Sequence, residues 1–246
     1  MAQPTHDDAP DFGVRGYRVL ITGGAGGIGL AFARAFAALG AELIVTDLKL
    51  VPPDGLPEGA RYAVLDVRDG AAILDLARRT DRLDVLIHCA GRITDQSAER
   101  IAEFQAQLDI HLTGALRLAE AFRPQLARAK GSILFIASMY SYFGHPRGPG
   151  YGAAKTAIVS LTKSLALGYA DDGIRVNAIA PGWIDTELSR AGQADPAFNA
   201  KVMARLPIKR WAGPEELAGT AVFLASPAAR LINGVTIPVD GGYAAS

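Results

Sequence analysis

Cysteine is nearly missing from this chain: Cys89 stands alone among 246 residues. No intramolecular disulfide framework is possible, and a reducing compartment such as the cytoplasm is expected. Cys89 lies in the apolar run Val85 to Ala90, which reads as a buried, inert thiol rather than a reactive one. Histidine is scarce too. Its four copies, with one cysteine, show no metal-ligand spacing, so no metal is expected. Net charge is zero, from 25 basic and 25 acidic residues. That balance gives no electrostatic reason to bind nucleic acid or anionic lipid, and a small-molecule partner is expected instead. No apolar run reaches the length of a membrane span. Asp7, Asp8 and Asp11 in the first dozen residues do not resemble a secretory signal. Residues 1–14 read as a flexible tail before one domain over 15–246.

What is present is alternation. Strand-like runs at Tyr17–Thr22, Glu42–Thr46, Arg61–Leu65, Asp84–Cys89, Ser132–Ala137, Ile174–Ile179 and Val235–Val239 alternate with helical patterns. Helices are expected at Gly27–Leu39, after the capping Asp69 through Arg79, in two patterns of which one ends near Gln107 or runs on through it and the other reaches Arg128, at Pro149–Ala170 and at Pro214–Ala225. Such alternation predicts parallel pairing with right-handed crossovers. The strands are almost wholly apolar, as strands covered on both faces must be. The expected fold class is therefore α/β, a Rossmann-type doubly wound parallel sheet with helices on both faces. In such sheets ligands bind beyond the carboxyl ends of the strands.

The motifs fall at those ends. Thr22-Gly23-Gly24-Ala25-Gly26-Gly27-Ile28-Gly29 lies between the first strand and the first helix. Glycine permits the tight turn, and backbone N–H groups at a helix N-terminus suit a pyrophosphate. A glycine triad alone is also consistent with a bare flexible turn; its strand-to-helix setting is what favours a dinucleotide. Asp47 ends the second strand, where a carboxylate accepts from both ribose hydroxyls and repels a 2′-phosphate. Lys49 is the nearest cation, so NAD is expected over NADP. Asp66, before Val67, ends the third strand; it suits an adenine amino group or a simple helix-capping role.

Ser138 closes the fifth strand, and Tyr151 and Lys155 lie one turn apart on a predicted helix, sharing a face. A free phenol, with a pKa of about 10, is a poor base at neutral pH. At about 4 Å and an effective dielectric of about 20, an ammonium is worth roughly 4 kcal/mol to the phenolate. That makes the phenol up to about a thousandfold more acidic. Tyr151 would then take the proton of an alcohol as hydride leaves, or return it in reverse, while Ser138 holds the reacting oxygen.

Together these motifs resemble the short-chain dehydrogenase/reductase family, in its single-domain branch, over roughly residues 15–243. The resemblance rests on Thr22, Gly23, Gly27 and Gly29, on Asp66-Val67, Ser138, Tyr151 and Lys155. It extends to Pro181-Gly182 with Ile184 and Thr186, and to Val239-Asp240-Gly241-Gly242. It implies that the Ile184 backbone and Thr186 touch the nicotinamide carboxamide and that Lys155 holds the nicotinamide ribose. Ala90 and Gly91 would line the cofactor, and the chain would form a homotetramer through helices near 103–129 and 149–170. Two departures stand out. The family's Asn-Asn-Ala-Gly is His88-Cys89-Ala90-Gly91 here, and its fourth catalytic residue, an asparagine, is His111. That asparagine acts in a proton relay through its backbone carbonyl, a role that survives a change of side chain. Both histidines also admit a purely structural reading, with the ring bonded to backbone.

The expected activity is NAD-dependent hydride transfer between nicotinamide and a secondary alcohol or ketone, the substrate being a sugar, polyol or cyclic alcohol. Substrate contacts are expected from Met139, Tyr140, Tyr142, His145 and Arg147, and from the stretch Trp183 to Trp211, Leu188 included. Arg92 or Arg147 would meet a carboxylate if one is present, although each also reads as a solvated surface charge. His6, in the tail, has no assigned role. The rival reading is a redox-silent NAD-binding regulatory protein, against which the joint presence of Ser138, Tyr151 and Lys155 argues. A lyase or epimerase on a related scaffold would need a larger substrate domain.

Overall fold

The computed structural model describes residues 11–93, 100–145 and 148–246. His6 and Arg147 therefore lie outside the described residues. Seven strands form one parallel sheet: β1 (Arg18–Thr22), β2 (Glu42–Asp47), β3 (Arg61–Val64), β4 (Val85–His88), β5 (Ser132–Ile136), β6 (Arg175–Pro181) and β7 (Thr236–Val239). Their order is β3-β2-β1-β4-β5-β6-β7, so the direction of progression reverses between β1 and β4. β1, β4 and β5 hold runs such as Leu20-Ile21 and Leu86-Ile87 with no solvent exposure, because helices cover both faces.

One face is covered by α2 (Gly70–Arg78), α4 (Gly114–Ala129) and α5 (Pro149–Gly168), whose Ile73, Phe122 and Ile158 pack against Leu20, Leu86 and Phe135. α1 (Gly27–Ala38) and α8 (Ala218–Ala225) cover the other, placing Phe32, Phe36 and Leu224 against Ile21, Ile87 and Leu134. Asp69 caps α2 as the sequence predicts, accepting from Ala72 N at 3.0 Å. Of the segment expected as a tail, residues 11–14 are packed. Val14 is fully buried, and the Asp11 carbonyl accepts from Ala228 N at 2.7 Å.

Three features of the helices bear on the site. The first helical pattern before Arg128 runs on through Gln107, the second of the two readings: α3 (Arg100–Leu108) passes through a widened π turn, Asp109–Thr113, into α4. The helix expected at Pro214 opens as a 3-10 turn to Leu217, and only then becomes α8. The stretch Trp183 to Trp211 contains two unforeseen helices, α6 (Arg190–Ala194) and α7 (Pro196–Arg205). Asp195 caps α7 through Ala197 N and Phe198 N, with Pro196 at its first position.

Candidate active site

The cleft opens where β1 and β4 diverge, at the reversal of strand order, which is where open α/β sheets place ligands. Gly23 follows β1 with φ of +67°, and a Cβ there would stand 2.5 Å from the Ala90 backbone. The chain leaving β1 and the chain leaving β4 can touch only because Gly23 lacks a side chain. Gly29 serves the same end inside the loop, since a Cβ on it would overlap the Gly23 carbonyl. Gly27 also has positive φ, +49°, and its α-carbon faces the Thr186 methyl across the cleft. Ile28 and Thr186 lie on the same cavity wall.

This loop fits a dinucleotide phosphate on its own evidence. The N-terminus of α1 has no side-chain cap and no acid in its first turn, whereas α2 and α7 are each capped by an aspartate. Uncapped N–H groups at the positive end of a helix dipole suit an anion. Asp47 is held at the rim. Its Oδ2 accepts from Ala25 N at 3.0 Å and its Oδ1 from Leu48 N at 2.8 Å and Lys49 N at 3.3 Å. Asp66 is engaged by its neighbour Arg68, through Arg68 N at 2.9 Å and the guanidinium at 2.6 Å, which holds its carboxyl below the usual range. The Val67 side chain is buried and fills the space left by Gly114. Gly182 sits against Asp240, where a Cβ would come within 2.6 Å of the Asp240 α-carbon. The closing Val239 to Gly242 segment thus buttresses Pro181-Gly182, with Gly182 N donating to the Val239 carbonyl at 3.1 Å.

At the other end of the cleft, Ser138, Tyr151, Ile184 and Thr186 share a cavity of about 400 Å³. Ser138 leaves β5 and caps the next turn, its Oγ accepting from Tyr140 N at 3.2 Å. That turn directs Tyr140 and His145 into the cavity but leaves Tyr142 47% exposed and off its lining, which corrects its assignment as a substrate contact. Met139, Leu188, Trp183 and Trp211 do line it. So do Phe198, within the expected stretch Trp183 to Trp211, and Ile93, which the sequence reading missed. The Asp195-Pro196 pair is the signal that would have placed Phe198 on a helix. Arg92 is committed to Glu103 at 2.8 Å and lies off the cavity, correcting its candidacy as a carboxylate anchor.

The Tyr151–Lys155 pair departs from expectation in its electrostatics. Lys155 Nζ donates to the Ile136 carbonyl at 2.6 Å and is buried. Burial pushes the Tyr151 phenol up to about 12, only partly opposed by its hydrogen bond with Ser138. Loss of water around the phenolate is the largest influence on its acidity here, and it acts against the lowering expected from the ammonium. Burial likewise draws Lys155 down to about 8.

Both departing histidines take the structural role left open above. His88 Nε2 donates to the Ile110 carbonyl at 3.2 Å, so its Nδ1 accepts from Thr22 Oγ1 at 2.8 Å. Burial lowers it to about 3, leaving it neutral. His111 sits in the widened turn, its Nε2 donating to the Arg92 carbonyl at 2.9 Å and lying 3.1 Å from Gln107 Oε1. Its ring meets Tyr151 edge-on at 5.3 Å, and burial holds its pKa well below the ordinary value. Cys89, beside them, is pushed up to about 12 by burial. Among the described residues there is no cluster of potential metal ligands, and no helix is long and apolar enough to cross a membrane.

This arrangement has known counterparts. The Enoyl-(Acyl carrier protein) reductase family model matches residues 23–244. The 2-dehydro-3-deoxy-D-gluconate 5-dehydrogenase of Bacillus subtilis (strain 168) is 37% identical over 244 residues, spanning 94% of this chain and 96% of its own. The cis-4-hydroxycyclohexanecarboxylate dehydrogenase of Sinomonas cyclohexanicum is 39% identical over 241 residues, spanning 92% and 96%. A solved gluconate 5-dehydrogenase from Burkholderia cenocepacia J2315, in complex with NADP and tartrate, superposes with a TM-score of 0.89 at 34% identity. It covers 96% of this chain and 98% of its own. With the glycine loop, the seven-stranded order and the shared cavity, these matches establish that the chain belongs to the short-chain dehydrogenase/reductase family.

Proposed function

We propose that this oxidoreductase interconverts a secondary alcohol and its ketone, with NAD as the preferred cofactor and Tyr151 as the acid/base. Action on CH–OH groups follows from the family and from the sugar-acid and cyclic-alcohol dehydrogenases among its relatives. When bound, nicotinamide accepts or supplies the hydride. The observation that carries the reading is the common cavity of Tyr151, Ser138, Ile184 and Thr186, next to an uncapped helix N-terminus.

In this reading Ser138 Oγ holds the reacting oxygen and Tyr151 Oη takes or returns its proton. Lys155 holds the nicotinamide ribose, and its charge, joined to that of the oxidised cofactor, works against the burial that keeps the phenol protonated. His111 acts through its backbone in the widened turn. Thr22, Gly23, Gly27, Ile28 and Gly29 cradle the pyrophosphate. Asp66 and Val67 bound the adenine, Ala90 and Gly91 the ribose side, and Pro181, Gly182, Ile184 and Thr186 the carboxamide. The support for NAD is Asp47, a fixed carboxylate where a 2′-phosphate would stand. The Burkholderia relative was solved with NADP, so this preference is a point on which the present chain is proposed to differ.

A homo-oligomer is part of the proposal, supported by apolar side chains exposed on the helices concerned, such as Ile101 and Leu167. So is a cytoplasmic location, in keeping with a single, half-buried thiol. Tyr151→Phe tests the central claim. Turnover of an alcohol panel with NAD should fall at least a hundredfold while NAD affinity stays within about twofold. Full activity in that variant would overturn the assignment.

A further inference from the structure

The substrate half of the cavity divides sharply by chemistry. Its polar side chains gather at the reacting end, where Ser138 and Tyr151 stand. The far wall is apolar and aromatic: Met139, Trp183, Leu188, Phe198 and Trp211, with Ile93 at the mouth. Trp183 is the hub of that wall. It meets Phe198 at 5.3 Å, Trp211 at 5.1 Å, Tyr140 at 6.1 Å and Tyr243 at 5.7 Å, with every pair of rings between 74° and 83°. Edge-to-face contacts of this kind fix a wall in place.

The wall also offers almost no hydrogen bonds. Trp211 Nε1 donates to Asn199 Oδ1 at 2.8 Å, and Trp183 Nε1 is sealed from solvent, so neither indole N–H reaches the cavity surface. Ser189 Oγ is used up locally, donating toward the Ile184 and Thr186 carbonyls and accepting from Thr186 N and Gln193 Nε2. Among the described residues the lining holds no lysine, arginine, aspartate or glutamate, and its one histidine, His145, stacks on Tyr140 at 4.0 Å. Beyond the reacting end, a sugar acid would lose water from a carboxylate and its distal hydroxyls with no charged partner among the described lining residues. A flat apolar body would lose nothing and would gain the aromatic wall.

We propose that this site takes an uncharged alicyclic secondary alcohol, or the corresponding ketone, in preference to an open-chain sugar acid. The inference rests on the hydride-transfer reading above and selects a substrate class within it. The carbinol faces Ser138 and Tyr151, and the ring lies against Trp183, Leu188 and Phe198. Leu188, 51% exposed at the rim, is the position where a charge would redirect this preference.

Two measurements test this. The first compares kcat/KM for cyclohexanol and D-gluconate with the same oxidised cofactor. Cyclohexanol should lead by at least tenfold, and Leu188→Arg should narrow the gap between cyclohexanol and cis-4-hydroxycyclohexanecarboxylate by tenfold or more. Equal or faster turnover of D-gluconate overturns the substrate class and leaves the hydride-transfer reading standing. The second needs no turnover. The chain has two tryptophans, and both line this cavity, so intrinsic tryptophan emission reports on it directly. Cyclohexanone should change that emission saturably while D-gluconate leaves it unaltered. Saturable binding without turnover of any alcohol would sustain the substrate class and sink the enzymatic reading. No response to cyclohexanone, or a stronger one to D-gluconate, would sink the substrate class.

Discussion

Lys155 Nζ lies 5.6 Å from the centre of the Tyr151 ring, and its hydrogen bond goes to the Ile136 carbonyl, not to the phenol. Lys155 is buried and Tyr151 half-buried on the cavity wall, and loss of water favours the neutral form of each, raising Tyr151 to about 12 and lowering Lys155 to about 8. The lysine makes stability depend on pH. Its ordinary value is 10.5, so between about 8 and 10.5 the unfolded chain binds more protons than the folded one. Stability contributed by this group therefore rises with pH through that window, and below it the folded state carries a cost of about 3 kcal/mol.

Lys155→Met should consequently stabilise the protein at pH 7, by up to about 2 kcal/mol once the lost hydrogen bond to Ile136 is set against the relieved charge. The advantage should shrink toward pH 10, while turnover is lost at every pH. Urea unfolding at pH 7 and pH 10 checks this. A variant less stable than the parent at both values would show that the ammonium is not under strain.

Asp47 supports a prediction about cofactor choice. Its oxygens accept from Ala25 N, Leu48 N and Lys49 N, so alanine there would unpin the loop as well as remove the charge. Asp47→Asn removes the charge and keeps one acceptor oxygen, enough for Leu48 N and Lys49 N, at the loss of the acceptor for Ala25 N. The ratio of kcat/KM for NAD over NADP should fall by tenfold or more, mainly through KM for NADP. An unchanged ratio would mean that discrimination arises elsewhere.

Much of this molecule was legible in its sequence because the sheet is nearly all interior. Strands buried on both faces announce themselves as apolar runs such as Val85 to Cys89, and the glycine loop has a backbone requirement that few residues besides glycine meet. What escaped depends on distance through space. Ile93 lies in the loop after β4 yet lines the same cavity as Tyr151 and Leu188, a juxtaposition that no local pattern announces. Tyr142 was misplaced because the Ser138 cap turns the chain after β5. The loss of water that opposes acidity at Tyr151 was not legible either, because a charge pair one helical turn apart is visible in sequence and its surroundings are not.

Cys89 offers a check on those surroundings. It is the single thiol of the chain, half-buried, and loss of water around it pushes it up to about 12. A disulfide reagent at pH 8 should leave the native protein essentially unmodified for hours and label one thiol at once in urea. Rapid labelling of the native form would show that the floor of the cleft opens in solution.

The last prediction concerns His111 and Gly91. His111 holds the segment after β4 by donating to the Arg92 carbonyl at 2.9 Å, and its ring stands edge-on to Tyr151. A Cβ on Gly91 would overlap His111 Cε1, so the glycine exists to admit this ring. Because burial keeps the imidazole neutral, His111→Asn should leave the pH profile of turnover unmoved. It should raise KM several-fold more than it lowers kcat, since Ile93 on the cavity wall loses part of its anchorage. Gly91→Ala alone should be far more damaging, costing at least a hundredfold in kcat/KM as the ring is driven toward Tyr151. Combined, the two substitutions should be much less harmful than Gly91→Ala alone, because the smaller amide makes room for the new methyl. Additive losses would place the clash elsewhere and would remove His111 from any part in positioning Tyr151.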